Sequence, residues 1–330
     1  MSTPSAIPIL STGPVSRRVH AYFAPVNRLT ETPTIFDASY AAAFVAARPT
    51  SPWIDLGWID SFVRQSEAKM SAVRSGSPSV AQYQVRQTAG ATVSFQFQQW
   101  SKLTMALAGG AEHMNVLVPA SGASPNGSGG AAGAAQSIVF NGIVATSATT
   151  IALTSADLTR YAAGSRVCVD VDYTGQVGFV GAGVSAGYVR SAASVNNDPD
   201  YVRRVTFNVA TVQQVTASAL LLAQPLIAGT PVAGMKVQPL LGFVDREGGS
   251  FLQEWSALFV MSGEQGDSIF FHYPRLQPLQ GAAEIATAMA SPLERMSLGA
   301  AFRSLPVTDA IDGQEVFCFR TYVPGPNVTV

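Results

Sequence analysis

The segment Gly181-Ala182-Gly183-Val184-Ser185-Ala186-Gly187 comes nearest, in this sequence, to a motif with chemistry of its own. Glycines so spaced can cradle a dinucleotide when a helix N-terminus follows at once and its backbone N–H groups hold the pyrophosphate. The residues that follow, YVRSAASVNNDPDY, carry no helical apolar period and break at Asn196-Asn197-Asp198-Pro199. The flanking segments read as β, so a glycine loop accounts for the motif. Asp170 and Asp172 lie two apart on a strand-like run and share a face, a pair that could hold a divalent ion. No third acidic or carbonyl-rich element accompanies them. A solvated or arginine-paired face is the simpler reading, with Arg203-Arg204 as the candidate partner.

His20, His113 and His272 stand apart from one another, with no cysteine or histidine at ligand spacing. No nucleophile elbow, zinc-protease helix or phosphate loop is present. Cys168 and Cys318 each sit in an apolar run; buried free thiols are the default, a disulfide is the alternative, and two cysteines make no metal framework. The residues therefore point to no enzyme, no cofactor and no metal. The densest charge cluster, Asp245-Arg246-Glu247-Gly248-Gly249, reads as a hairpin tip or as an intersubunit ion pair. Asp245, Arg246 and Glu247, with Glu254 and Trp255 just beyond, are the candidate intersubunit contacts.

Composition favours a self-associating chain. Over 330 residues only 12% are charged and 47% are hydrophobic, against a usual charged share of roughly 25%. Mean hydropathy is +0.22. A surface made of Gly, Ala, Ser, Thr and Gln suits permanent contacts, because burying a hydroxyl costs far less than burying an ion. The net charge of -1 supplies no general attraction for nucleic acid. Residues 1–20 have no apolar segment of the secretory kind, and no run reaches the ~18 apolar residues of a membrane helix. The expectation is cytoplasmic synthesis, and a membrane β-barrel, which would need an export signal, is set aside.

The elements that must position these residues are mostly strands. Residues 1–50 read as an extended N-terminal arm with packing aromatics such as Tyr22, Phe23 and Phe36. Residues 52–64 read as a strand or strand pair. From Thr92 to Gln98 apolar and polar residues alternate, which puts Val93, Phe95 and Phe97 on one face and Ser94, Gln96 and Gln98 on the other. Trp100, Leu103 and Leu107 then fall at helical spacing, and Gly109-Gly110 ends a short helix over 99–108. Residues 120–135 are a Gly/Ala/Ser linker. Beyond it, Ser137–Val144, Thr149–Leu153, Arg166–Tyr173, Val205–Val215 and Ala219–Leu222 read as short strands of a small barrel or sandwich, with one helical turn from Ser155. Leu240–Val244, Phe251–Met261, Ser268–Tyr273 and Glu315–Tyr322 are strand-like again. Residues 291–305 begin with a helical capping box yet alternate at Met296, Leu298, Ala300 and Phe302, and are assigned to strand. The expected fold is mainly β: a sandwich or barrel core over 1–119 and 238–330, with one short flanking helix, interrupted by an inserted β module at 136–237.

PWIDLGWIDSF, QVRQTAGATVSFQFQQWSKLTMALAGG, FFHYPRLQPLQGAAEIATAM, LERMSLGAAFRSLP and DAIDGQEVFCFRTYVPG, in that order, resemble the major tail (tail tube) proteins of long-tailed bacteriophages. The resemblance covers about 50–118 and 238–324; residues 120–237 have no counterpart in the minimal fold. It implies a structural virion protein that closes rings, usually of six subunits, whose inner strands join into one barrel. Rings stack through a long loop or arm, and the genome passes down the lumen at ejection. The partners implied are other copies of the chain, a tape measure protein, a tail terminator and baseplate or tail-tip proteins; DNA passes without specific binding, and no membrane insertion is involved. The implied location is the virion tail, assembled in the host cytoplasm. A lumen that passes DNA should not grip phosphates, which makes Ser94, Gln96 and Gln98 the candidate lumen-facing residues. The competing class is a β-rich decoration protein, or a receptor- or carbohydrate-binding virion protein, with the inserted module as its working part.

Overall fold

The structure, a computed structural model, describes residues 18–26, 32–37, 49, 53–99, 101–121, 132–170, 208–226, 229–246, 253–263, 266–279, 284–285 and 297–324. The fold is mainly β with large antiparallel sheets. In chain order the strands and helices are β1 (Arg18–Pro25), β2 (Ile54–Ser75), β3 (Val80–Phe97), α1 (Lys102–Gly109), β4 (Glu112–Leu117), β5 (Gln136–Ser137), β6 (Thr150–Ala152), α2 (Ser155–Leu158), β7 (Arg166–Asp170), β8 (Val209–Val215), β9 (Ala219–Leu222), β10 (Lys236–Arg246), β11 (Trp255–Ser262), β12 (Ser268–Pro278), β13 (Glu284–Ile285), β14 (Ser297–Ser304), β15 (Val307–Thr308), β16 (Glu315–Val316) and β17 (Phe319–Val323).

The first sheet runs β13-β14-β3-β2-β1-β11-β12-β17, and β12 pairs again with β14 through Leu276–Pro278. That extra pairing closes β14, β3, β2, β1, β11 and β12 into an antiparallel barrel. Period-2 alternation fills it: Val93, Phe95 and Phe97 from β3, Ala21 and Phe23 from β1, Ala257 and Phe259 from β11, and Ala300 and Phe302 from β14 form one buried cluster. Phe95 stacks on Phe302 at 5.6 Å and meets Phe259 edge-on at 5.3 Å. Helix α1 adds Leu103, Ala106 and Leu107 to this cluster. Its start is a capping box, with the Ser101 hydroxyl accepting from the Thr104 N–H and Thr104 Oγ1 accepting from the Ser101 N–H. Its end is Gly110 in the left-handed conformation (φ 59°), where an added Cβ would also lie 3.1 Å from the Pro278 side chain.

The second sheet runs β4-β10-β7-β8-β9-β6, with β5 on β10. Its cluster draws on residues between Ile138 and Val237, including Ile151, Leu158, Val167, Val169, Val212 and Leu220. The sequence places 112–117 and 238–246 with the first body; the structure puts both in the second sheet, where Leu240–Arg246 pairs with Glu112–Leu117.

Four local expectations change. Residues 18–25 are no arm: β1 lies between β2 and β11, paired to β11 from Arg18 to Pro25 and to β2 from Val19 to Phe23. Residues 138–144 do not continue β5, because Thr146 Oγ1 donates to the Val139 carbonyl and accepts from the Ala152 N–H, taking the place of a ladder. The closing strand is two strands in different sheets: Phe317 and Cys318 turn toward the barrel core between β16 and β17. Strand β2 runs well past residue 64, to Ser75, as one arm of a long hairpin.

Segment 32–37 lies on the outer face of β11 and β12. The Thr34 N–H donates to Ser256 Oγ at 2.8 Å, and that hydroxyl donates to the Pro274 carbonyl at 2.7 Å. Phe36 stacks on Phe270 at 5.3 Å. Beneath it His272 is buried, its Nε2 donating to the Thr34 carbonyl at 3.3 Å, with Phe36, Trp53 and Phe319 around the ring. Desolvation there lowers its pKa to about 4.

Candidate assembly surface

Pairing of β1 with β2 ends at Ile59, and pairing of β14 with β3 reaches only Ala91. From Ser66 to Ser75 and from Val80 to Gly90, β2 and β3 pair only with each other among the described residues. The result is a two-stranded ribbon about 30 Å long at the usual strand rise, turning at Gly76 in the left-handed region (φ 89°). It carries exposed apolar side chains along its length: Met70 47%, Val73 39%, Val80 56%, Tyr83 61% and Val85 46%. Directly opposed residues share a face, so the register sorts the ribbon into two. Ser71 with Val85, Val73 with Tyr83 and Ser75 with Val80 form an apolar face. Met70 with Arg86, Ala72 with Gln84 and Arg74 with Ala81 form the other. A lone two-stranded ribbon is marginal in water, and among the described residues no strand pairs with either of its edges.

Below the ribbon, the outer face of β3 and β14 is polar and nearly uncharged. Ser94 lies opposite Ala301 and Val63, Gln96 opposite Gly299 and Asp60, and Thr92 opposite Arg303 and Gln65. Ser94 and Gln96 are half-buried and Gln98 is exposed. Alternation thus places the three candidates opposite the core-facing Val93, Phe95 and Phe97. Exposed Arg303 sits at the ribbon end of this face. Gln98 also lines a cavity of about 510 Å³ with Arg18, Trp58, Asp60, Ser61 and Met261; Trp58 is 39% exposed there.

The candidate intersubunit residues part company. Trp255 is 3% exposed, inside the barrel, with Nε1 donating to Gln253 Oε1 at 3.0 Å; burial in its own core removes it from any contact surface. Glu254 pairs within the chain, its Oε2 accepting from Arg275 Nη2 at 3.1 Å and its Oε1 from Nε. Asp245 and Arg246 are the last residues of β10, opposite His113 and Glu112 of β4, in a strand and not at a tip. Glu247, the glycine-rich segment 181–187, Asp172 and Arg203-Arg204 lie outside the described residues.

The other potential chemistry resolves into structure. His20 pairs with Asp55 and stacks on Tyr22 at 4.6 Å. Asp170 is buried opposite Lys236. Cys168 and Cys318 are free thiols, and Cys318 is held above its usual pKa by burial. Among the described residues no three His, Cys, Asp or Glu side chains group to hold a metal, and no helix is long and apolar enough to cross a membrane. The ribbon escaped sequence reasoning because Met70 and Val73 fall on opposite faces of β2, and because the extra residues Gln82 and Gln87 bulge out of β3 and break its alternation. No protein-family model and no curated protein matches this chain.

Proposed function

We propose that this chain is a self-assembling structural protein whose copies close into stacked, six-membered rings, forming a tube of the kind that carries the genome through long-tailed phage tails. The observation that carries the proposal is the ribbon 66–90, which has an exposed apolar face and two edges that no other strand pairs among the described residues. Such a feature is a liability in a monomer and a connector in an oligomer. The charge-poor surface and the Thr/Ser/Gln face of β3 support the same reading: that face, turned to a lumen, would let DNA slide without neutralising phosphates. In this reading the module around the second sheet decorates the tube, other tail components meet the tube at its ends and in its lumen, and the chain performs no catalysis.

The test is negative-stain microscopy with sedimentation velocity on the purified chain across a wide concentration range. Rings or hollow tubes are the expected outcome; a chain that stays monomeric at high concentration overturns the proposal. A second reading, a carbohydrate-binding virion protein, draws on half-exposed Trp58 beside Asp60, Arg18 and Gln98, since an indole face among polar groups is suited to a sugar ring. Glycan-dependent quenching of tryptophan fluorescence that disappears in Trp58→Ala would favour it.

A further inference from the structure

We propose that the arginine-bearing face of the ribbon docks on the acidic turn 309–315 of a second copy of this chain; the inference rests on the assembly reading and names the surface that receives the ribbon. The ribbon is cationic in a chain that is nearly neutral: Lys69, Arg74 and Arg86 against Glu67 leave a net charge of +2 over residues 66–90, while the whole chain carries -1. On one face Arg86 lies opposite Met70, and Arg74 lies four residues further along β2, opposite Ala81. The two guanidinium groups therefore stand about 13 Å apart at their backbone positions. Along this face Met70, Ala72 and Ala81 make an apolar floor, with Gln84 beside Ala72 at its centre. Arginine is suited to this role because its planar fork meets a carboxylate bidentately.

The turn between β15 and β16 has the complementary chemistry. Asp309, Asp312 and Glu315 give it a net charge of -3 with no cation between residues 307 and 316. At its tip Ile311 is 94% exposed, a side chain that gains from burial and finds little among the described residues. The turn is built rigidly: Asp309 Oδ1 accepts from the Ile311 N–H and Asp312 Oδ1 from the Gln314 N–H, both at 2.9 Å, and Gly313 takes the left-handed conformation (φ 72°). A rigid tip loses little entropy on docking. Ile311 then meets the Met70/Ala72/Ala81 floor while Asp312 and Glu315 meet Arg74 and Arg86.

The experiment uses the full chain in three forms: Arg74→Glu with Arg86→Glu, Asp312→Arg with Glu315→Arg, and all four together. Thermal unfolding of each checks the barrel, and sedimentation velocity reads assembly. Each paired reversal should raise the concentration needed for assembly at least tenfold, and the fourfold swap, which restores opposite charges across the contact, should recover it. Mixing the two paired variants supplies a second route to the same recovery. Normal assembly of either paired variant, or failure of both the fourfold swap and the mixture while the chains remain folded, overturns this inference and leaves the assembly reading standing. A wild-type chain that never assembles overturns both.

Discussion

Replacing Val73, Tyr83 and Val85 together by Ser isolates the contribution of the ribbon's apolar face. In the single chain these side chains are 39%, 61% and 46% exposed, so roughly half of each remains to be buried by a neighbour. Full burial of such a side chain is worth about 1.5–3 kcal/mol, so the remaining half contributes about 1 kcal/mol each and about 3 kcal/mol per contact. That loss weakens each contact by roughly 100-fold. In the lone chain the same substitutions touch no core residue cluster and should each change stability by no more than about 0.5 kcal/mol. Sedimentation velocity over a concentration series reads the first effect, and thermal unfolding reads the second. The triple variant should unfold near the wild-type temperature and assemble only at concentrations raised by tenfold or more. An unchanged assembly threshold refutes the reasoning. So does a large drop in unfolding temperature, which would mean that the face is already buried within the chain.

Three further outcomes follow from the barrel. Phe95→Ala removes the ring that packs on Phe97, Phe259 and Phe302 and should cost about 3–5 kcal/mol in chemical denaturation. Gln253→Ala removes the side chain whose Nε2 donates to the carbonyls of Ala106 and Ala111 and whose Oε1 receives the Trp255 N–H; three buried partners lose their bond, and a cost of about 2–4 kcal/mol is expected by the same assay. For His272 the folded-state pKa of about 4 lies below the ordinary 6.5, so the unfolded chain binds the extra proton between those values. Its contribution is complete above pH 6.5 and lost as pH falls toward 4, by up to about 3 kcal/mol. Denaturation curves at pH 7 and pH 4.5 should differ less in His272→Phe than in the wild type.

Strand content was legible in the sequence wherever a single periodicity ran unbroken. Val93, Phe95 and Phe97 alternate with Thr92, Ser94 and Gln96 because one side of β3 meets a core and the other does not. The capped helix after β3 was legible for a similar reason, since Ser101 and Gly110 act within one turn of themselves. Strand β1 was missed because its eight residues sit in a Pro-rich stretch, and only pairing with β2 and β11 makes it a strand. Trp255 follows charged Glu254 in the sequence, and its inward direction depends on which way β11 faces in the barrel.

By itself the sequence determined the β class, the scarcity of charge, the uncharged face of Ser94 and Gln96, and the lack of any local catalytic motif. These are properties of composition and short-range period, which every residue carries with it. The tertiary structure alone decided that β12 meets β14 to close a barrel, and that β2 and β3 outrun their neighbours by residues 66–90. Both depend on how far each strand extends beyond a partner distant in the chain. That is a matter of register, to which no single segment's composition speaks.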